Sequence, residues 1–188
     1  EFVMIGAYAP IITSSLGLAT WLQLPICIIT VSLVALILER TIIRHLYGRM
    51  FDSLLATWGV SILLREIVEL VFGRSYQSVP QPVTGTIDIF GTDYPAYRVV
   101  IFLFVIFGFM VLAWWNKRSK VATQLKAMVE NPELAQAIGI NTGRLSAGAF
   151  VFGCATAGLA GLLLAPTVQV EPMMGLDYLL KSFFALVV

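Results

Sequence analysis

Residues 99–115 read VVIFLFVIFGFMVLAWW, and Asn116, Lys117 and Arg118 follow at once. The run holds no charge and no proline. As a helix it reaches about 26 Å, most of the hydrocarbon thickness of a bilayer. Its apolar residues do not alternate with polar ones, which argues against a barrel strand. Hydrocarbon offers the backbone no hydrogen-bond partners, so a continuous apolar run has to be helical. Trp114 and Trp115 ahead of Lys117 and Arg118 have the form of an interfacial anchor.

Outward from this stretch, similar runs cover Phe2 to Leu18, Trp21 to Leu38, Leu54 to Phe72 and Ser146 to Ala165, with another beginning near Leu179. A tight turn near Gly17 to Thr20 joins the first two. The expected fold class is all-α: a polytopic transmembrane helical bundle of five complete spans plus a truncated sixth. The whole of 1–188 is expected to form one transmembrane domain. The chain opens with Glu1 rather than Met, and Leu179 to Val188 is too short to cross a core that takes about 20 helical residues. A fragment is therefore expected, with at least one further helix beyond Val188.

Composition agrees. Of 188 residues, 59% are hydrophobic and 12% charged, against roughly a quarter charged in soluble domains. Mean hydropathy is +0.88. A lipid-facing surface needs no charge, whereas a water-facing one of this size does. The net charge of +1 gives no reason to expect nucleic acid as a partner. Cys27 and Cys154 lie inside apolar runs and match no metal or redox spacing. His45 stands alone in a basic loop, so no metal site is expected.

The loops alternate in charge. Residues 39–51 carry Arg40, Arg44 and Arg49, and 116–145 carry Lys117, Arg118, Lys120, Lys126 and Arg144. The segment 74–98 has Arg74 and Arg98 balanced by Asp88 and Asp93, and the last loop has Glu171 and Asp177 without a base. Alternating spans put eight Lys and Arg on one side and two on the other, which makes the basic side cytoplasmic. The expected setting is a bacterial-type inner membrane, crossed several times, with 116–145 cytoplasmic and 74–98 periplasmic.

The cytoplasmic loop contains a punctuated short helix. Asn131 suits the N-cap, Pro132 the first helical position, Glu133 the positive helix end and Gly139 the stop. Leu134 and Ile138 fall one turn apart on one face. So short a helix needs a partner, either the membrane domain itself or a separate protein docking from the cytoplasm.

Two spans carry further patterns. In the third, Ser53, Thr57, Ser61, Arg65 and Glu69 recur every four residues as a slowly winding polar stripe. One reading is a solute path lined by Thr57, Trp58, Ser61, Arg65 and Glu66, with Lys181 meeting a solute carboxylate from the sixth span. The other is structural: Arg65 pairs with Glu69 one turn on, with Glu66 beside them, Thr57 and Ser61 bond back to their own helix, Trp58 packs, and Lys181 snorkels. In the fifth span, Ala149, Gly153, Ala157, Gly161 and Ala165 form a small-residue ladder expected to let another helix approach closely.

The run Glu133-Leu134-Ala135-Gln136-Ala137-Ile138-Gly139 resembles the EAA-type coupling loop of ABC importer permeases, with Leu134 for the first Ala and a shorter gap to the Gly. Glu1-Phe2-Val3-Met4-Ile5-Gly6-Ala7-Tyr8, Leu55-Ala56-Thr57-Trp58-Gly59-Val60-Ser61 and Gly139-Ile140-Asn141 through Arg144 resemble the branched-chain amino-acid and urea permease family. So do Ala157-Gly158-Leu159-Ala160-Gly161 and Pro172 with Gly175 and Lys181. The matches run in order along the whole chain. The resemblance implies that Asn131, Pro132, Glu133, Leu134, Ala135, Ala137, Ile138 and Gly139 couple the chain to cytoplasmic ATP-binding subunits. It also implies a periplasmic solute-binding protein and a second permease chain, homologous or identical. ATP and Mg would be bound by the partner subunit, since this chain has no GxxxxGK[ST] loop. The implied solute is a branched-chain amino acid, or urea or a short amide, and no bond-making chemistry or catalytic residue is expected.

A competing class is an ion-gradient-driven secondary transporter or channel, which would want an unpaired acid deep in a span. Glu66 and Glu69 stand beside Arg65 instead. A membrane enzyme would need a nucleophile, base or metal cluster at one depth, and one histidine with two scattered cysteines offers little for that.

Overall fold

The computed structural model describes residues 1–15, 17, 19–46, 50–82, 85–89 and 92–187. Leu16, Leu18, Arg49 and Val188 of the runs and loops above lie outside them. The helices are α1 (Phe2–Ser15), α2 (Gln23–Leu38), α3 (Arg44–Leu46), α4 (Met50–Phe72), α5 (Ala96–Arg118), α6 (Lys120–Glu130), α7 (Pro132–Ala137), α8 (Thr142–Leu164) and α9 (Met174–Val187). A 3-10 turn, Thr20–Leu22, leads into α2, and a π-helical stretch, Glu39–Ile43, joins α2 to α3. One antiparallel hairpin, β1 (Thr86–Ile89) on β2 (Thr92–Pro95), pairs Thr86 with Pro95 and Ile89 with Thr92. It was not expected from the sequence.

Among the described residues, three helical stretches are long and apolar enough to cross a membrane: Thr20–Leu46, Ala96–Arg118 and Thr142–Leu164. The expected count of five complete spans is thus larger than length and composition support here. α4 has the length, but Arg65, Glu66 and Glu69 lower its hydropathy, and α1 and α9 are described over 14 residues each.

The chain divides into two compact units, one of residues 1–80 with 150–188 and the other of 81–149. The boundary falls inside the expected outer segment, between Pro80 and Gln81. In the first unit α1 is the central element: Met4, Gly6, Ala7, Tyr8, Ala9, Pro10 and Thr13 are all buried. A helix apolar on every side belongs inside a bundle. One side of the core joins Met4, Ala7, Tyr8, Ala165, Val170 and Met174, with Val68 and Phe72 against them. The other joins Ala9, Cys27, Val31, Ala35, Cys154 and Leu162. Gln77 and Val170 exchange backbone hydrogen bonds of 2.9 Å, tying the segment after α4 to the segment after α8.

Glycines set how closely α1 and α8 approach. A Cβ on Gly6 would come 1.9 Å from the Gly158 carbonyl oxygen, and one on Gly161 would come 1.9 Å from that of Val3. Val31 of α2 fills the space beside Gly158. Pro10 has no N–H to give Gly6 four residues back. The Cys27 thiol faces the Gly6 carbonyl at 4.0 Å and donates to that of Gly158 at 3.5 Å.

In the second unit the backbone N–H of Ala96 bonds to the carbonyl of Gly85 at 2.9 Å, joining the hairpin to the start of α5. At the far end of α5 the Arg118 guanidinium lies 5.4 Å from the centre of the Trp114 ring. The Ser119 hydroxyl caps α6 by accepting from the Val121 N–H at 3.2 Å.

Candidate functional site

The second unit presents the punctuated helix. Asn131 Oδ1 accepts from the Leu134 N–H at 3.0 Å, Pro132 fills the first helical position and Glu133 sits in the first turn. At the other end the Ile140 N–H reaches the Ala135 carbonyl and the Gly139 N–H the Gln136 carbonyl, each at 3.0 Å. Gly139 has φ 87°. This paired closure with a left-handed glycine is a Schellman stop. Asn141 caps the next helix through the Arg144 N–H at 3.0 Å, and Gln136 Nε2 donates to Thr142 Oγ1 at 3.0 Å. Both ends of α7 are thereby closed, which a helix of six residues requires.

Its faces differ. Ala135 is buried, whereas Leu134 is 63% and Ile138 67% exposed. Ala137 and Glu133 are exposed as well. The apolar pair foreseen on one face is therefore held outward by a capped, rigid turn.

The first unit places the α4 stripe. Thr57 is exposed and its hydroxyl donates back to the carbonyls of Ser53 and Leu54, at 2.9 and 3.0 Å. Trp58 is exposed, as is Glu66. Ser61 and Arg65 turn inward, and their partner is a residue that the sequence reading passed over: Glu1 Oε1 accepts from Ser61 Oγ at 2.5 Å and from Arg65 Nη2 at 3.2 Å. The structural reading that paired Arg65 with Glu69 is thus corrected. Glu69 accepts from Arg74 Nε at 2.7 Å instead, and this hydrogen bond holds the exposed Arg74 guanidinium above its ordinary pKa. Lys181 is exposed, its ammonium 5.1 Å from the centre of the Tyr178 ring.

The small-residue ladder of α8 is corrected in part. Gly161 and Ala165 are buried, but Ala149 and Gly153 are exposed, Ala157 is half-buried, and a Cβ on Gly153 would meet nothing within 4 Å. Steps of four advance about 40° around a helix, so five such positions wind through about 160° and cannot all meet one neighbour. The buried face is Cys154, Gly158, Gly161, Leu162 and Ala165. Gly158 and Gly6, which make the closest approach, carried a family resemblance but no packing role in the sequence reading. Among the described residues no group of three His, Cys, Asp or Glu is placed to hold a metal ion.

A family model described as branched-chain amino acid transport system / permease component matches residues 1–188. The chain belongs to this permease family. The high-affinity branched-chain amino acid transport system permease protein LivH of Salmonella typhimurium is 28% identical, and the match covers 100% of this chain and 66% of that protein. LivH of Escherichia coli strain K12 gives the same identity and coverage. A probable branched-chain amino acid transport permease protein LivH of Methanocaldococcus jannaschii is 24% identical over 98% of this chain and 61% of its own length. The chain thus spans about two thirds of the length of these permeases. No solved structure matches it. Two polar arrangements are distinctive in this permease chain, the capped α7 in one unit and the part-buried Glu1–Ser61–Arg65 cluster in the other.

Proposed function

We propose that the chain is the membrane-crossing permease part of an ABC importer that carries branched-chain amino acids inward. ATP and Mg are handled by a separate cytoplasmic subunit. The observation that carries this reading is the family match across residues 1–188. The names of the relatives favour branched-chain amino acids over urea. The setting is a bacterial-type inner membrane. A periplasmic binding protein delivers the solute, and a second permease chain completes the path.

In this reading α7 is the docking element for the ATP-binding subunit. Its support is the pair Leu134 and Ile138, exposed on a helix fixed at both ends and lying in the Lys- and Arg-rich loop. A short rigid helix with an apolar pair can enter a groove on a partner at little ordering cost, and so transmit a push rather than absorb it.

The test uses the full-length permease in a mild-detergent pull-down, with an ATPase assay and ATP-driven leucine uptake in proteoliposomes. Recovery of a P-loop ATPase is expected. Leu134→Asp should weaken its attachment by about 2 kcal/mol or more, as loss of a central apolar anchor does. A permease that carries no ATPase and takes up leucine on an ion gradient alone would replace this reading with the secondary transporter.

A further inference from the structure

The Glu1–Ser61–Arg65 cluster has capacity it does not use. Ser61 is the middle residue of α4, and Arg65 lies one turn further on. Only 10% of the Glu1 side chain and 17% of that of Arg65 are exposed. Their contact runs through one oxygen and one nitrogen, Oε1 and Nη2, at 3.2 Å. Glu1 Oε2 and Arg65 Nε are buried without a hydrogen-bond partner among the described residues.

This is not the geometry of a pair that serves only to neutralise itself. Such a pair gains most by closing the two-point fork, with Nε and Nη2 on the two carboxylate oxygens, and that closure would satisfy both spare atoms at once. The offset arrangement instead leaves over one anionic acceptor and one cationic donor, each costly to keep buried and unmet. A Cβ on Gly175 would stand 3.3 Å from Glu1 Oε2, so the glycine lets the start of α9 lie close against the acceptor. Buried Met4 and Met174 belong to the adjoining apolar cluster.

We propose that Glu1, Ser61 and Arg65 form a station inside the membrane for the zwitterionic head group of an α-amino acid, Glu1 Oε2 taking the ammonium and Arg65 Nε the carboxylate. The inference rests on the amino-acid permease reading above. A zwitterion brings the cationic donor and the anionic acceptor that the two spare atoms lack, so every buried charge ends paired. Urea brings only neutral groups and leaves the charges no better matched.

The experiment uses the full-length permease assembled with its ATP-binding subunits and binding protein in proteoliposomes, with leucine as the probe. If the unaltered complex takes up none of leucine, isoleucine or valine with ATP, the amino-acid reading itself fails, independently of the cluster. Given uptake, Glu1→Gln and Arg65→Gln should each reduce it roughly thirtyfold or more, the loss typical of removing one partner of a buried charge pair. The amount of assembled complex should stay unchanged. Uptake within about twofold of the unaltered complex in either variant overturns the proposal, on the same scale. In case the variants assemble poorly, Ser61→Cys gives a second reading through its rate of modification by a small methanethiosulfonate reagent. Slowing by leucine but not by urea supports the station. Equal rates with and without leucine, or equal slowing by urea, overturn it and leave the pair as a strut between α1 and α4.

Discussion

At the scale of the residue, glycines decide where this chain tolerates change. Gly161→Leu should disrupt the α1–α8 crossing, because its side chain would meet the Val3 backbone at 1.9 Å, and backbone cannot move aside as a side chain can. A loss of about 3 kcal/mol or more is expected, and a fall in the thermal midpoint of the purified permease would register it. Gly153→Leu, whose Cβ would meet nothing within 4 Å, should leave that midpoint unchanged. The reverse ranking would mean that the regular ladder, not the observed face, makes the contact. Arg65 shows the limit of the sequence in another way. The i, i+4 rule sees only neighbours on one helix, so Glu69 was visible as a partner. Glu1, brought alongside by tertiary packing of α1 on α4, was not.

At the scale of the element, α7 was the most legible part of the molecule, because caps are local. Asn131, Pro132 and Gly139 each act within five residues of their own position, so the sequence carries the whole argument. Asn131→Ala should cost about 1 kcal/mol of helix stability through the unmet Leu134 N–H. Faster amide hydrogen exchange at Leu134 and Ala135 would report it, while exchange in α8 stays as before. α4 was legible only in part. Its period-four stripe is present, yet Thr57 spends its hydroxyl on its own helix while Ser61 reaches Glu1. Periodicity assigns residues to a face and leaves open which neighbour covers it. Thr57→Val should therefore leave leucine uptake within about twofold, since such a back-bonded hydroxyl contributes little. A loss comparable to that of Arg65→Gln would put Thr57 in the path.

At the scale of the whole molecule, the all-α membrane class was legible from continuous apolar runs, whereas the number of spans was not. A run such as Val99 to Trp115 announces itself. α4 has the length of a span but carries charges, of which Arg65 meets Glu1 ahead of α1 and Glu69 meets Arg74. The hairpin Thr86–Pro95 escaped notice because its strands are four residues each and set among prolines and turn residues. The sidedness proposed from the Lys and Arg bias predicts that cysteines placed at Thr41 and Lys120 are modified from the cytoplasmic face of oriented vesicles, and one placed at Ser75 from the opposite face. Labelling of Thr41→Cys and Lys120→Cys from opposite sides would break the alternation of spans. The glycine crossing also bears on how the protein is made. Gly6 leaves the ribosome about 150 residues ahead of Gly158, a delay on the order of ten seconds at bacterial speed. Until α8 emerges, the groove on α1 has no occupant and the Cys27 thiol lacks the Gly158 carbonyl it later donates to. The central helix α1 is thus synthesised well before the helix that completes its surroundings. Nascent chains arrested before α8 should keep Cys27 open to thiol reagents, and release of the full chain should close it.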